Sequence, residues 1–144
     1  MIDTQAGKYV QMIESQLLAD AATVAGVVDC RGWDYATLVI NFETEETTGA
    51  TANTVAIQEG LTTDATNFTT AVANVAHDLE TGHLHVSHVD LRGKERYLRV
   101  VFSNGAGAGN ELGIGCVGIL SRGEEAPANT TYMISPTHGT VQIL

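Results

Sequence analysis

The chain has 144 residues, with 17 Asp and Glu against seven Lys and Arg, for a formal net charge of −10; so acidic a balance is unsuited to coating phosphate backbones and argues against nucleic acid as a partner. A single domain of this length buries roughly 68–70% of the surface its unfolded chain exposes, enough for a core without staples, and the two cysteines, Cys30 and Cys116, are too few for a disulfide framework and are expected as buried free thiols. No apolar run approaches the ~18 residues that cross a bilayer, and the N-terminus lacks the basic and apolar regions of a secretory signal, so no membrane partner and synthesis in a reducing cytosol are expected.

The segment from Lys8 to Asp20 is ambiguous: Val10, Ile13 and Leu17 recur at helical spacing, while Val10, Met12 and Leu18 fit one face of a strand, the form expected here. Thr23 to Val28 predicts a short strand, closed by a turn at Asp29-Cys-Arg-Gly32 in which Gly32 takes φ > 0 and Asp29 bonds the following backbone. Tyr35 to Phe42 is the clearest strand. Glu43 to Asn53 is polar and acidic and reads as a hydrated surface loop. Thr54 to Gln58 predicts a strand with Val55 and Ile57 on one face, and Glu59 to Glu80 has room for short strands or one helical turn.

Three further strands follow. His83 to Leu91 places Leu84 and Val86 on one face and His83, His85 and Ser87 on the other, the one-sided burial of an antiparallel sheet. Tyr97 to Ser103 alternates Leu98, Val100 and Phe102 against Tyr97, Arg99 and Val101. Glu111 to Ser121 has a strand pattern with Gly113, Gly115 and Gly118 inside it, a sign of a bulge or of another backbone coming close. Residues 123–144 contain both prolines, Pro127 and Pro136, among Thr, Asn, Ser and Gly. They fit equally an extended C-terminal arm with apolar anchors, or a last strand followed by a frayed terminus. Short strands with turn signals every 8–12 residues and no βαβ alternation predict an all-β, single-domain β-sandwich, jelly-roll-like, over residues 1–122, with the arm at 123–144.

Candidate chemistry is sparse. His83 and His85 share a strand face and could grip one metal, with Asp90 where the following acid of a cupin motif would stand. However, Asp90 has the opposite parity, and the later motif histidine is missing, so the two histidines are weak ligands whose plainer role is on a solvent-facing or inter-subunit face. Gly105 to Gly109 lacks the lysine and hydroxyl of a phosphate loop, and no nucleophile elbow occurs. We expect no enzyme and no cofactor. Arg92, Lys94 and Arg96 read either as a solvated turn or as a basic patch for an acidic partner.

The order G-V-V-D-C-R-G-W-D at Gly26 to Asp34, T-L-V-I-N-F at Thr37 to Phe42, V-A-I-Q-E-G at Val55 to Gly60, T-N-F-T-T at Thr66 to Thr70 and R-Y-L-R-V-V-F at Arg96 to Phe102 resembles small structural proteins of tailed bacteriophages. Trp33 stands for the usual Tyr of that pattern, Ile57 for Leu and Gly60 for Ser, and the similarity covers roughly residues 22–122. In size and character the chain is similar to the jelly-roll capsid cement, or decoration, proteins. That resemblance implies a virion protein on the outer surface of the head, assembled in the host cytoplasm. It would bridge major capsid protein subunits and associate with itself as a homodimer or homotrimer. The contact residues expected are Arg92, Lys94 and Arg96 with Tyr132, Met133, Ile134, Val141, Ile143 and Leu144 of the arm. The alternatives are a glycan-binding β-sandwich of a tail or fibre, for which one Trp offers little stacking surface, and a cupin-like metal-binding protein.

Overall fold

A computed structural model describes residues 7–42, 53–77, 83–105, 111–122, 131–134 and 141–143. Ten strands form two antiparallel sheets, and one short 3₁₀ turn, Ala65–Asn67, separates two of them. In chain order the strands are β1 (Gly7–Leu18), β2 (Thr23–Asp29), β3 (Tyr35–Phe42), β4 (Asn53–Gly60), β5 (Thr69–His77), β6 (His83–Asp90), β7 (Tyr97–Ser103), β8 (Leu112–Ser121), β9 (Thr131–Ile134) and β10 (Val141–Ile143). One sheet has the order β1-β8-β3-β6-β9-β10 and the other β2-β7-β4-β5. Apart from the β4–β5 hairpin, consecutive strands among the first eight change layer, and the orders β1-β8-β3-β6 and β2-β7-β4-β5 are the eight-strand, double Greek-key arrangement of a jelly roll. β9 pairs with β6 and β10 with β9, so the described part of the 123–144 segment continues the larger sheet; Leu144 lies outside the described residues.

The core lies between the layers. Ala36, Leu38 and Ile40 of β3 and Leu112, Ile114, Cys116 and Leu120 of β8 face Val55 and Ile57 of β4 and Leu98, Val100 and Phe102 of β7. The strict two-residue period of β7 and β3 comes straight from their alternation of branched and polar residues. Both cysteines are buried and free.

β1 explains its own ambiguous pattern. Its pairing with β8 slips between Gln11 and Ile13 and again between Ile13 and Gln16. Two bulges reset the alternation, so that Met12, Ile13 and Leu18 are all buried while Leu17 points out. An i, i+3 recurrence thereby appears in a strand. The first bulge brings β1 against two glycines of other strands. A Cβ on Gly26 of β2 would lie 2.2 Å from the Met12 carbonyl oxygen, and one on Gly118 of β8 would lie 2.9 Å from Met12 Sδ. Within β8, Gly118 marks the close approach of the Met12 side chain and not of a backbone, and the bulges are on the neighbouring strand β1.

β6 corrects the expectation for its two faces. His85, Ser87 and Val89 are buried, and Leu84, Val86, His88 and Asp90 are on the outer side. Cross-strand register decides this: His85 stands opposite Ile40, Ser87 opposite Leu38 and Val89 opposite Ala36, and those three β3 residues form the core.

Candidate functional site

His85 does not occupy the solvent-facing or inter-subunit position expected of it. It is fully enclosed, with Nε2 2.8 Å from Ser87 Oγ, so these two atoms enter the core hydrogen-bonded to each other. The side chain of His83 lies outside the described residues. Asp90 is on the opposite face from His85 and is held by Arg92, so the arrangement does not gather a metal-binding triad. Among the described residues no group of three His, Cys, Asp or Glu side chains is placed to hold a metal ion. His88, also on the outer face, shares a 2.9 Å hydrogen bond between Nδ1 and Thr37 Oγ1.

Charge is arranged more distinctly. The β2–β3, β4–β5 and β6–β7 connections, the start of β1 and the end of β8 meet at one end of the sandwich, because successive strands run in opposite directions. All seven Lys and Arg residues of the chain belong to that end: Lys8, Arg31, Arg92, Lys94, Arg96, Arg99 and Arg122. Arg99, two residues inside β7, reaches the β4–β5 connection by donating from Nη1 to the Ala65 carbonyl at 3.2 Å.

Five of these cations are held in place. Arg92 donates through Nε and Nη2 to both oxygens of Asp90, with Nη2 at 2.7 Å. Arg96 forms the same two-pronged pair with Asp29, with Nη2 at 2.6 Å. Lys94 Nζ is 3.4 Å from Glu59 Oε1, while Glu59 Oε2 accepts from the Glu95 backbone N–H at 2.8 Å. Arg92, Arg96, Arg99 and Arg122 each lie over an aromatic ring, of Tyr35, Tyr97, Phe68 and Trp33 respectively, at 4.8–5.3 Å from the centroid, within cation–π range. The forked hydrogen bonds from Arg96 and Arg92, with backbone N–H groups of Arg31 and Arg92 adding to them, hold the carboxyl groups of Asp29 and Asp90 down at about 2. Arg92 is shifted upward by the same pair.

The turns are built for this. Asp29 Oδ1 accepts from Arg31 N–H at 3.0 Å and Gly32 has φ 83°; Asp90 Oδ1 accepts from Arg92 N–H at 3.0 Å and Gly93 has φ 82°. Each is an Asp-led turn resolved by a glycine in the left-handed region. A depression of about 420 Å³ between the turns is lined by Trp33, Leu61 and Leu91 with Arg31, Lys94 and Arg96.

Of the contact residues expected from sequence, Arg92, Lys94 and Arg96 converge here. The Tyr132–Ile134 stretch forms β9 and Val141 and Ile143 belong to β10, along the edge of the larger sheet. Arg31 and Arg122 belong to the same surface, as do Asp29 and Glu59, the carboxylates that pair with Arg96 and Lys94, and the sequence reading does not bring these four together. A signal for them exists: in an up-and-down strand order, alternate turns share an end, and the cations fall in or beside alternate turns.

No protein-family model matches the chain, and no curated protein matches it. Among solved structures it is similar to a structure of infectious bursal disease virus Gx strain, with TM-score 0.47 and 10% identity over 84% of this chain and 34% of that one. It is also similar to the infectious bursal disease virus VP2 subviral particle, with TM-score 0.49 and 12% identity over 87% of this chain and 35% of that one. A third likeness is to a structure of Bacillus endospore appendages, described as disulfide-linked pili, with TM-score 0.43 and 19% identity over 81% and 89%. The chain spans about a third of the length of the two viral chains. The jelly-roll assignment itself rests on strand order.

Proposed function

We propose that the chain is a structural protein of a tailed-phage virion, a cement or decoration protein that binds the outer surface of the head and bridges major capsid protein subunits. The observation that carries the reading is the gathering of cations: all seven Lys and Arg of a chain with net charge −10 lie at one end of a jelly roll, and five of them, Arg92, Lys94, Arg96, Arg99 and Arg122, are held there by carboxylates or aromatic rings. Cations pinned in this way lose little side-chain entropy when they meet a carboxylate-bearing surface, so the end suits docking on an acidic protein partner more than it suits chemistry. The acidic remainder of the chain suits the outside of a shell. The likeness of residues 22–122 to phage structural proteins points the same way.

The test uses particles assembled with and without the chain. Wild-type protein is expected to co-sediment with particles lacking it and to raise their rupture temperature. The Arg92→Glu, Lys94→Glu double variant, shown folded by far-UV circular dichroism, is expected to bind at least about tenfold more weakly. Equal occupancy by the double variant, or equal robustness of particles without the chain, would overturn the proposal.

A further inference from the structure

On the docking role proposed above, we infer that the depression between the turns of the cationic end is the seat of a short acidic segment of a protein partner, which inserts a bulky apolar side chain and sets a carboxylate against Arg31. Three connections wall the depression: Arg31 and Trp33 come from the β2–β3 turn, Leu61 from the β4–β5 connection, and Leu91, Glu95 and Arg96 from the β6–β7 turn. Trp33, Leu61 and Leu91 therefore border one space, of about 420 Å³. An apolar cavity of about 150 Å³ already takes a benzene ring, so the depression has room for an aromatic side chain and part of the backbone that carries it.

The walls are fixed before anything binds. The Cys30 N–H donates to the Arg96 carbonyl at 2.9 Å and the Leu91 N–H to the Asp34 carbonyl at 2.8 Å, which joins the two Asp-led turns backbone to backbone. Arg122 lies over the Trp33 ring at 5.1 Å and donates from Nε to the Gly32 carbonyl at 2.8 Å, so the ring is held on that side. A frame tied in this way loses little freedom when a ligand enters it. Leu61, by contrast, leaves 68% of its surface exposed at the rim, apolar area that an inserted side chain would cover.

Charge sets the chemistry of the occupant. The lining carries Arg31, Lys94 and Arg96 against one carboxylate, Glu95. Lys94 and Arg96 are already paired, with Glu59 and Asp29, whereas among the described residues the Arg31 side chain pairs with no carboxylate. Unmatched positive charge therefore lies on the β2–β3 wall, and Glu95 opposes a second carboxylate on the β6–β7 wall. A segment with an acidic residue next to an aromatic one meets both conditions. A purely apolar segment would leave Arg31 without a counter-charge, and a run of acidic residues would be repelled by Glu95.

The probe is a hexapeptide with blocked ends, Gly-Asp-Phe-Gly-Ser-Gly, titrated to about 5 mM into the isotopically labelled chain and followed by amide NMR. Trp33 is the one tryptophan of the chain, so its indole N–H gives a single cross-peak that reports from within the site. Saturable shifts of that peak and of the Leu61 and Leu91 amides are expected, with a Kd of about 1 mM or below. Ala for the peptide's Phe, Asn for its Asp, or Leu61→Glu or Arg31→Glu in the chain is expected to weaken binding at least about fivefold. Glu95→Gln is expected to tighten it about twofold. Leu17→Glu, at a leucine of like exposure on β1, is the control and is expected to bind as wild type does. No saturable shift by about 5 mM, shifts that leave Trp33 and Leu61 unmoved, or a folded Leu61→Glu variant with wild-type affinity overturns the inference. Particles separate the two readings: docking that needs Arg92 and Lys94 but survives Leu61→Glu keeps the docking role and overturns the seat, and peptide binding by a chain that does not dock on particles does the reverse.

Discussion

Gly26→Ala tests how the sandwich closes at its β1–β2 edge. The added Cβ would sit 2.2 Å from the Met12 carbonyl oxygen, 2.5 Å from its carbonyl carbon and 2.9 Å from its Cβ. The obstacle is backbone, and it belongs to a strand whose register with β8 is already set by bulges on both sides of Ile13. Relief requires lifting β1 away from β2 and exposing the buried Met12 and Ile13. Overpacking at such a site costs about 3 kcal/mol or more, which lowers the melting temperature of a domain this size by about 10 °C. Gly118→Ala is the comparison: its Cβ meets Met12 Sδ at 2.9 Å and Cγ at 3.4 Å, the far end of a flexible side chain, so the cost stays below about 1.5 kcal/mol. Combining each with Met12→Ala separates the two cases in a urea-denaturation double-mutant cycle. Truncation is expected to relieve Gly118→Ala by about 1 kcal/mol and to leave Gly26→Ala unrelieved. A Gly26→Ala protein within about 0.5 kcal/mol of wild type, or one rescued by Met12→Ala, would refute the account of the bulge as a backbone clamp.

Two further outcomes follow from the ionisable groups. Burial pushes the Cys30 thiol up to about 11 and Cys116 up to about 12, from an ordinary 9.0. The native protein is therefore expected to react with a thiol reagent at pH 8 at least about 100-fold more slowly than the urea-unfolded chain, measured by absorbance of the released chromophore. The Asp29 carboxyl is held at about 2 against 3.8 in the unfolded chain; because the folded value is the lower, the stabilisation is fully present above about pH 4 and is lost as pH falls towards 2. Asp29→Asn should lower the melting temperature at pH 7 and flatten its dependence between pH 4 and 2, and a slope equal to that of wild type would count against the Arg96 pair as its source.

The legible part of the fold was the part with uninterrupted alternation. Leu98, Val100 and Phe102 in β7 and Leu38 and Ile40 in β3 each take the face that their hydropathy assigns. In β1 the bulges at Gln11 to Gln16 break the alternation, so no single period describes the strand. In β6 the more apolar pair, Leu84 and Val86, faces out while His85 and Ser87 face in. What reverses them is pairing with Ile40 and Leu38, over 40 residues earlier in the chain, together with the hydrogen bond that lets histidine and serine enter the core as a unit. The cationic end was legible only as the Arg92 to Arg99 run. Arg96 finds Asp29 across 67 positions and Lys94 finds Glu59 across 35, contacts that exist only once strand order is known.

That strand order also has a consequence in time. β1 has one partner in its sheet, β8, and Gly7 stands opposite Ser121, about 110 positions later. At roughly 5–20 residues per second of synthesis, β1 waits on the order of 5–20 s before its partner exists. Throughout that interval its bulged, glutamine-bearing edge and the equally unmatched side of β3 are exposed as nascent chain, and bulges and polar edge residues are features that discourage strands of neighbouring chains from adding there. The irregularity that hides β1 from a periodicity reading thus also guards the strand whose partner is made last.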